Sequence, residues 1–162
     1  VDILVNNAGV NIPQPIDAVT DDAWDTVLET NLTSVMALTR ALVPQMRSRK
    51  WGRIIHISSV MAFVSKEKRN AYSATKAGLI GMTHASSLEL GQDGVTVNCI
   101  APGPFLTDMP GKILSAEEKA EFARTTALNR WADPREMIGP ALMLASEAGS
   151  YITGQVLVVD GG

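Results

Sequence analysis

The chain has 162 residues, of which 46% are hydrophobic and 19% charged, with a formal net charge of −3. One domain with a buried core is expected, and the absence of a basic stripe predicts no nucleic-acid partner. No apolar run is long enough to span a membrane. One cysteine and no basic, apolar leader predict a cytoplasmic protein, and the scattered histidines predict no metal site.

Apolar strand-like runs alternate with helix-length segments along the chain. The β-branched and apolar runs predict strands at residues 3–6, 53–58, 95–101 and 155–159. The capping and periodicity signals predict helices at residues 21–49, 71–90, 115–124 and 134–146. This alternation predicts an α/β fold: a Rossmann-like, doubly wound parallel sheet of about four strands in a single domain, with right-handed crossovers.

Polar and tight-turn residues follow three of the predicted strands. They are Asn6 to Gly9, the pair Ser58-Ser59, and Pro102-Gly103. Ligands of parallel α/β sheets bind beyond the carboxyl ends of the strands. We therefore expect these residues to line one site.

Tyr72 and Lys76 stand four residues apart at the start of a predicted helix, and so share one face. An ammonium about 4 Å from the phenol would favour the tyrosinate by up to ~4 kcal/mol at an effective dielectric constant of ~20. This would lower the tyrosine pKa by roughly two to three units. The pair therefore predicts a general acid–base device.

These residues together resemble the short-chain dehydrogenase/reductase family over the whole chain. The matching pieces occur in family order: Asp2 to Gly9, Asn31, Ser59, Tyr72-x-x-x-Lys76, Pro102-Gly103, Thr107 and residues 154–162. The four-residue Tyr-Lys pattern alone is unspecific, but its combination with an upstream serine and both strand ends is specific.

The resemblance implies four catalytic residues. Tyr72 exchanges the proton, Ser59 orients the substrate oxygen, and Lys76 lowers the tyrosine pKa and holds the nicotinamide ribose. Asn31 interrupts its helix and supports a water that links Lys76 to solvent. Two alternatives stay open at this point: Ser58 as the functional serine, and Asn31 as a satisfied buried amide.

The resemblance also implies a nicotinamide cofactor, NADP or NAD. The expected contacts come from Asn6, Ala8, Gly9, Tyr72, Lys76, Pro102, Gly103 and Thr107. However, the sequence contains no G-x-G-x-x-G loop to cradle the cofactor diphosphate. The resemblance starts at what would be the family's fourth strand. We therefore expect a fragment, that is, the C-terminal two-thirds of such a domain, with one uncovered strand edge.

Two further segments are expected to contact ligands or partners. Residues 103–132 join a strand end to a capped helix across the site and are predicted to form a substrate lid. Small residues recur along helix 71–90, and the resemblance implies a homodimer or homotetramer through helices 21–49 and 71–90.

The loop that precedes Tyr72 carries three cations, Lys66, Lys68 and Arg69, and one anion, Glu67. It is either a solvated loop or a device that attracts an anionic substrate.

The predicted function is NAD(P)-dependent interconversion of a secondary alcohol and a ketone, with a small carbonyl or alcohol substrate. A 3-oxoacyl thioester and a sugar acid are both candidate substrates. The alternative is an inactive fragment or half-domain that acts as an oligomerisation module. Hydrolase chemistry is disfavoured because no G-x-S-x-G elbow is present.

Overall fold

The computed structural model describes residues 1–107 and 115–162. In this part of the chain four parallel strands form one sheet in the order β1-β2-β3-β4. The strands are β1 (Ile3–Asn6), β2 (Gly52–Ile57), β3 (Val95–Pro102) and β4 (Val156–Val159). The predicted parallel α/β sheet is therefore confirmed, and each predicted strand boundary lies within one residue of the observed one.

Five α-helices flank the sheet within the described ranges. They are α1 (Asp21–Leu28), α2 (Ser34–Arg49), α3 (Asn70–Leu90), α4 (Ala116–Arg124) and α5 (Ile138–Ala145). The predicted helix 21–49 is divided by a π-helical turn at Glu29–Thr33. Capping boxes at Ser115 and Asp133 open α4 and the 3₁₀ turn that leads into α5. Residues 108–114 of the predicted lid lie outside the described residues.

One face of the sheet packs against α2 and α3. Its core contains Met46, Ile54, Leu90, Val95 and Val97. Because strand side chains alternate, the next residues along β2 point to the opposite face.

The opposite face packs against α5. Its core joins Ile55 and Ile100 of the sheet to Leu144 of α5. The strands are parallel and follow chain order, so a helix on this face gives the third crossover the opposite hand from the first two. The expectation that all crossovers are right-handed is therefore wrong for one connection, because α5 fills the face that α2 and α3 leave open.

The strand β1 forms an edge of the described sheet, since it pairs only with β2 there. Its side chains Ile3 and Val5 are 42% and 48% exposed on the face that α5 covers elsewhere. No helix in the described ranges combines the length and apolar character needed to cross a membrane.

His56 lies fully buried near the carboxyl end of β2, beside Asn6 of β1. The two residues are register partners, and Asn6 Nδ2 lies 3.0 Å from His56 Nδ1. No described group hydrogen-bonds His56 Nε2. Burial penalises the charged imidazolium and lowers the pKa of His56 from 6.5 to about 4.

The buried His56 predicts acid-sensitive stability. Unfolded histidine titrates near 6.5 and the folded residue near 4, so the unfolded chain binds more protons between those values. The stability is thus present above about pH 6.5 and falls by up to about 3 kcal/mol as the pH drops to about 4. Urea unfolding across this range should show His56→Gln losing part of that dependence. His84→Gln, at the exposed second histidine, is the control, and an unchanged slope in His56→Gln would contradict the prediction.

Candidate active site

The carboxyl ends of β1, β2 and β3 open into one cavity of about 530 Å³. Gly9 follows β1, Ser59 follows β2, and Gly103 follows β3, so the three predicted strand ends do converge. The helix α3 brings Tyr72 and Lys76 to the same cavity from its first two turns.

Lys76 is held at the junction of α3 and β2. Its side chain is only 4% exposed, and Nζ donates a hydrogen bond of 2.8 Å to the carbonyl of Ile57. The same Nζ lies 5.5 Å from the centroid of the Tyr72 ring. The ammonium therefore keeps further N–H donors for a ligand.

The two serines after β2 have different tasks. Ser58 Oγ donates 2.7 Å to the carbonyl of Lys76 and so ties the strand to α3. Ser59 Oγ accepts from the amide of Met61 at 3.1 Å and keeps its own proton to donate. Because the Ser58 hydroxyl is occupied by the backbone, Ser59 is the serine available to a substrate oxygen.

The pKa of Tyr72 moves in the opposite direction from the one expected. Burial raises it above its usual value of 10, and the hydrogen bond from Ser59 and the charge of Arg69 oppose this only partly. Lys76 Nζ, 5.5 Å from the Tyr72 ring centroid and hydrogen-bonded to the Ile57 carbonyl, does not offset the effect of burial on the Tyr72 pKa. The predicted lowering of the Tyr72 pKa is therefore wrong for the protein alone.

Burial also lowers the pKa of Lys76, from 10.5 to about 8. The lysine is thus protonated at neutral pH but close to its titration range. With a neutral phenol beside it, the Tyr72–Lys76 pair carries one positive charge at neutral pH.

Asn31 is fully buried on the π-helical turn, so the predicted interruption of its helix is confirmed. Its amide exchanges two hydrogen bonds with the backbone of Val10, of 2.8 and 2.9 Å, and donates a third to Thr75 Oγ1 at 3.2 Å. Asn31 therefore anchors the loop after β1 to α3. The water relay to Lys76 stays a prediction.

Most of the predicted cofactor contacts border the cavity, and two do not. Those that border it are Gly9, Tyr72, Lys76, Pro102, Gly103 and Thr107. Asn6 instead points into the sheet interior toward His56, and Ala8 is exposed outside the cavity. The alternation of side chains along β1 explains the position of Asn6, whose side chain lies on the face that packs against α2 and α3.

The cavity has further walls that the sequence motifs did not identify. They include Asn11, Met61, Phe105, Phe122, Trp131, Pro134 and Met137, whereas Asn7 of the predicted strand end also borders the cavity. The rings of Phe122 and Trp131 lie 5.3 Å apart, and Lys66 Nζ sits 3.7 Å from the Phe122 ring centroid. The amphipathic pattern of residues 115–124 could have indicated Phe122 as a cavity residue. Its partner ring, Trp131, lies nine residues later and outside that pattern.

Three features fit a nicotinamide ribose near Lys76. A Cβ built on Gly9 would lie 3.4 Å from Lys76 Nζ and 3.5 Å from Asn31 Oδ1, so the glycine leaves that approach open. Asn11 Oδ1, on the cavity wall, is buried without a described hydrogen-bond partner. Together with the free donors of Lys76, these groups offer both acceptors and donors to ligand hydroxyls. Within the described residues no group of three or more metal-ligating side chains was found.

Comparison with known proteins places this site in a family. A family model described as enoyl-(acyl carrier protein) reductase matches residues 1–162. The chain belongs to the short-chain dehydrogenase/reductase family. The predicted resemblance is therefore confirmed.

Relatives within the short-chain dehydrogenase/reductase family are similar along the whole chain. The 3-oxoacyl-[acyl-carrier-protein] reductase FabG of Aquifex aeolicus is 41% identical over 162 residues, which are 100% of this chain and 65% of that protein. The nodulation protein G of Azospirillum brasilense is 43% identical over 164 residues, with the same coverage of 100% and 65%.

Solved structures of the family superpose closely. A gluconate 5-dehydrogenase from Burkholderia cenocepacia J2315, in complex with NADP and tartrate, gives a TM-score of 0.96 at 34% identity. A 3-oxoacyl (acyl-carrier-protein) reductase from Agrobacterium tumefaciens C58 with NADP bound gives 0.95 at 36% identity. In both cases the match covers 100% of this chain and 64% of the other. The chain thus spans about two thirds of the length of its short-chain dehydrogenase/reductase relatives.

The Asn31 contacts predict a structural effect in this family member. Asn31→Ala removes three hydrogen bonds and leaves the Val10 amide and carbonyl without their partner, at a cost of about 2–3 kcal/mol. The free energy of unfolding in urea measures this loss. Thr33→Ala, at an exposed position of the same π-helical turn, should cost less than about 1 kcal/mol. Equal losses in the two variants would contradict the assignment.

Proposed function

We propose that the chain is the catalytic part of an NADP-dependent oxidoreductase that interconverts a secondary alcohol and a ketone. The observation that carries this proposal is the convergence of Ser59, Tyr72 and Lys76 on one cavity of about 530 Å³, at the carboxyl ends of a parallel sheet. Family membership supports the same class of reaction.

Each of the three side chains has a separate task in the proposed reaction. Ser59 donates a hydrogen bond from its hydroxyl to the carbonyl oxygen and holds that oxygen near the phenol. Tyr72 gives its proton to that oxygen during reduction and takes it back during oxidation. Lys76 holds the ribose and keeps a positive charge beside the phenol, which favours the tyrosinate when the proton leaves. When bound, the nicotinamide supplies or accepts the hydride at the substrate carbon.

NADP is the cofactor we propose, in preference to NAD. The support is that relatives with NADP bound superpose with this chain at TM-scores of 0.95 and 0.96. Gly9, Lys76, Gly103 and Thr107 are the proposed contacts to its nicotinamide half. The sequence holds no glycine-rich loop for the diphosphate.

The lid and the assembly are further parts of the proposal. Phe122 and Trp131 border the cavity, which supports a lid role for residues 103–132. Association of two or four copies would use the outer faces of α1–α2 and α3, where Leu38 and Leu88 are 50% and 85% exposed. The alternative role, an assembly module without catalysis, would rest on these helices alone.

Substitution of the proposed proton donor and orienting serine tests the catalytic role. Tyr72→Phe should lower kcat about 100- to 10,000-fold, since it removes the exchangeable proton. Ser59→Ala should lower kcat about 100- to 1,000-fold. The measurement is NADPH absorbance with a panel of ketones, with light scattering to follow association.

Ser58→Ala is the matched control, because that hydroxyl is bonded to the Lys76 carbonyl. It should lower the free energy of unfolding by about 1 kcal/mol. Its reduction of kcat should be at least tenfold smaller than the reduction caused by Ser59→Ala. Under the assembly alternative, the wild-type protein and all these variants would show no turnover. Self-association would be the only activity detected.

The raised Tyr72 pKa predicts that the two directions differ in pH dependence. Reduction needs the protonated phenol, which burial keeps neutral well above neutral pH, so its rate should be flat between about pH 6 and pH 7, below the range in which Lys76 loses its proton. Oxidation needs a phenolate as proton acceptor, so its rate should rise through about pH 9. Rates of both directions with saturating substrate measure this. An oxidation rate that falls above neutral pH would contradict the prediction.

A further inference from the structure

Two cationic side chains border the cavity beside the proposed proton donor. Lys66 and Arg69 both line it, whereas Lys68 of the same loop does not. Arg69 is the N-cap residue of α3, three positions before Tyr72, and its charge acts on the Tyr72 hydroxyl. The charge of Arg69 therefore lies near the place where the substrate carbon reacts, and Lys66 shares the cavity with it.

These charges are not neutralised by the part of the protein that the structure describes. No described carboxylate forms an ion pair with Lys66 or Arg69. Glu121 of α4 favours the charged form of Lys66, but burial and the charge of Arg69 outweigh it and lower the Lys66 pKa. Lys66 and Arg69 thus repel each other on the wall of the same cavity.

The helix end makes the arrangement less favourable still. The N-terminus of α3 is the positive end of its macrodipole, and its first turn contains no acidic residue. A sequence that places cations there gives up stability, which is typical of a functional site. Lys66 is further fixed by the Phe122 ring, 3.7 Å from its Nζ.

We propose that Lys66 and Arg69 form a subsite for the carboxylate of a small hydroxy or oxo acid, whose reacting carbon lies at Tyr72. This rests on the proposed function and names its substrate class. A carboxylate takes hydrogen bonds from an ammonium and a guanidinium and relieves their mutual repulsion.

The position of the cations favours a small acid over a 3-oxoacyl thioester. In a carrier-bound thioester the ketone and the thioester are neutral, and the phosphate lies at the far end of the pantetheine arm. Arg69 is close enough to Tyr72 to act on its hydroxyl, and it shares one cavity of about 530 Å³ with Lys66. An anion that pairs with a cation so near the reacting carbon must lie on a short substrate, such as a sugar acid.

Gluconate and sorbitol are matched probes, since they have the same six-carbon polyol chain with and without the carboxylate. Isothermal titration calorimetry of the full protein with NADP present should show preference for gluconate. Lys66→Gln and Arg69→Gln should each lower the ratio of gluconate to sorbitol affinity about 10- to 100-fold. The wild-type preference should also weaken with added salt.

Lys68→Gln is the control, because it makes the same charge change on the same loop outside the cavity. It should change the affinity ratio less than about twofold. Equal wild-type affinity for the two probes, no detectable binding of gluconate, or equal effects of Lys66→Gln, Arg69→Gln and Lys68→Gln would each overturn the proposal.

Turnover assays separate this inference from the proposed function. Charge-dependent gluconate binding with no turnover of any alcohol or ketone would contradict the oxidoreductase function and still support the carboxylate subsite. The opposite result is preferred reduction of acetoacetyl-N-acetylcysteamine, a neutral 3-oxoacyl thioester, unchanged by Lys66→Gln or Arg69→Gln. It would contradict the subsite and still support the oxidoreductase function.

Discussion

Two hydrogen bonds between the end of β2 and the second turn of α3 position the whole site. Lys76 Nζ donates to the Ile57 carbonyl, and Ser58 Oγ donates to the Lys76 carbonyl. The strand and the helix thereby hold each other at one residue, Lys76. With the helix fixed at that point, Tyr72 must lie one turn earlier and Ser59 one residue beyond the strand contact. The junction between strand and helix therefore places the catalytic candidates, and a hydrogen bond from Ser59 to Tyr72 joins two of them.

Burial sets the electrostatic state of the site. It raises the Tyr72 pKa and lowers that of Lys76 to about 8, so both groups are driven toward their neutral forms. Lys66 and Arg69 border the same cavity from the segment that leads into α3. Lys66 is exposed and Arg69 half-buried, so these two cations keep their wall of the cavity positively charged. Proton transfer and substrate choice thus depend on different groups of one cavity.

Local pattern predicted the elements and the convergence of the strand ends, because apolar runs, caps and the carboxyl edge of a parallel sheet follow from short stretches of sequence. It failed where the answer depends on long-range packing. Asn6 was expected at the cofactor, but it packs beside His56, 50 residues away in the neighbouring strand. The buried state of Tyr72 and the Phe122–Trp131 wall arise from segments distant in sequence. The guanidinium of Arg53, buried beneath Trp51 at the other end of β2, gave no sequence signal at all.

The helix α5 lies on the face of the sheet that α2 and α3 leave open, and there it backs Ile55 of the strand that leads to Ser59. A truncation that ends before residue 133 would keep Asn31, Ser59, Tyr72 and Lys76 in the polypeptide. It would nevertheless strip the rear support from the strand that presents the serine. Such a shortened chain would retain the family's sequence signature and lose the scaffold that gives the signature its geometry.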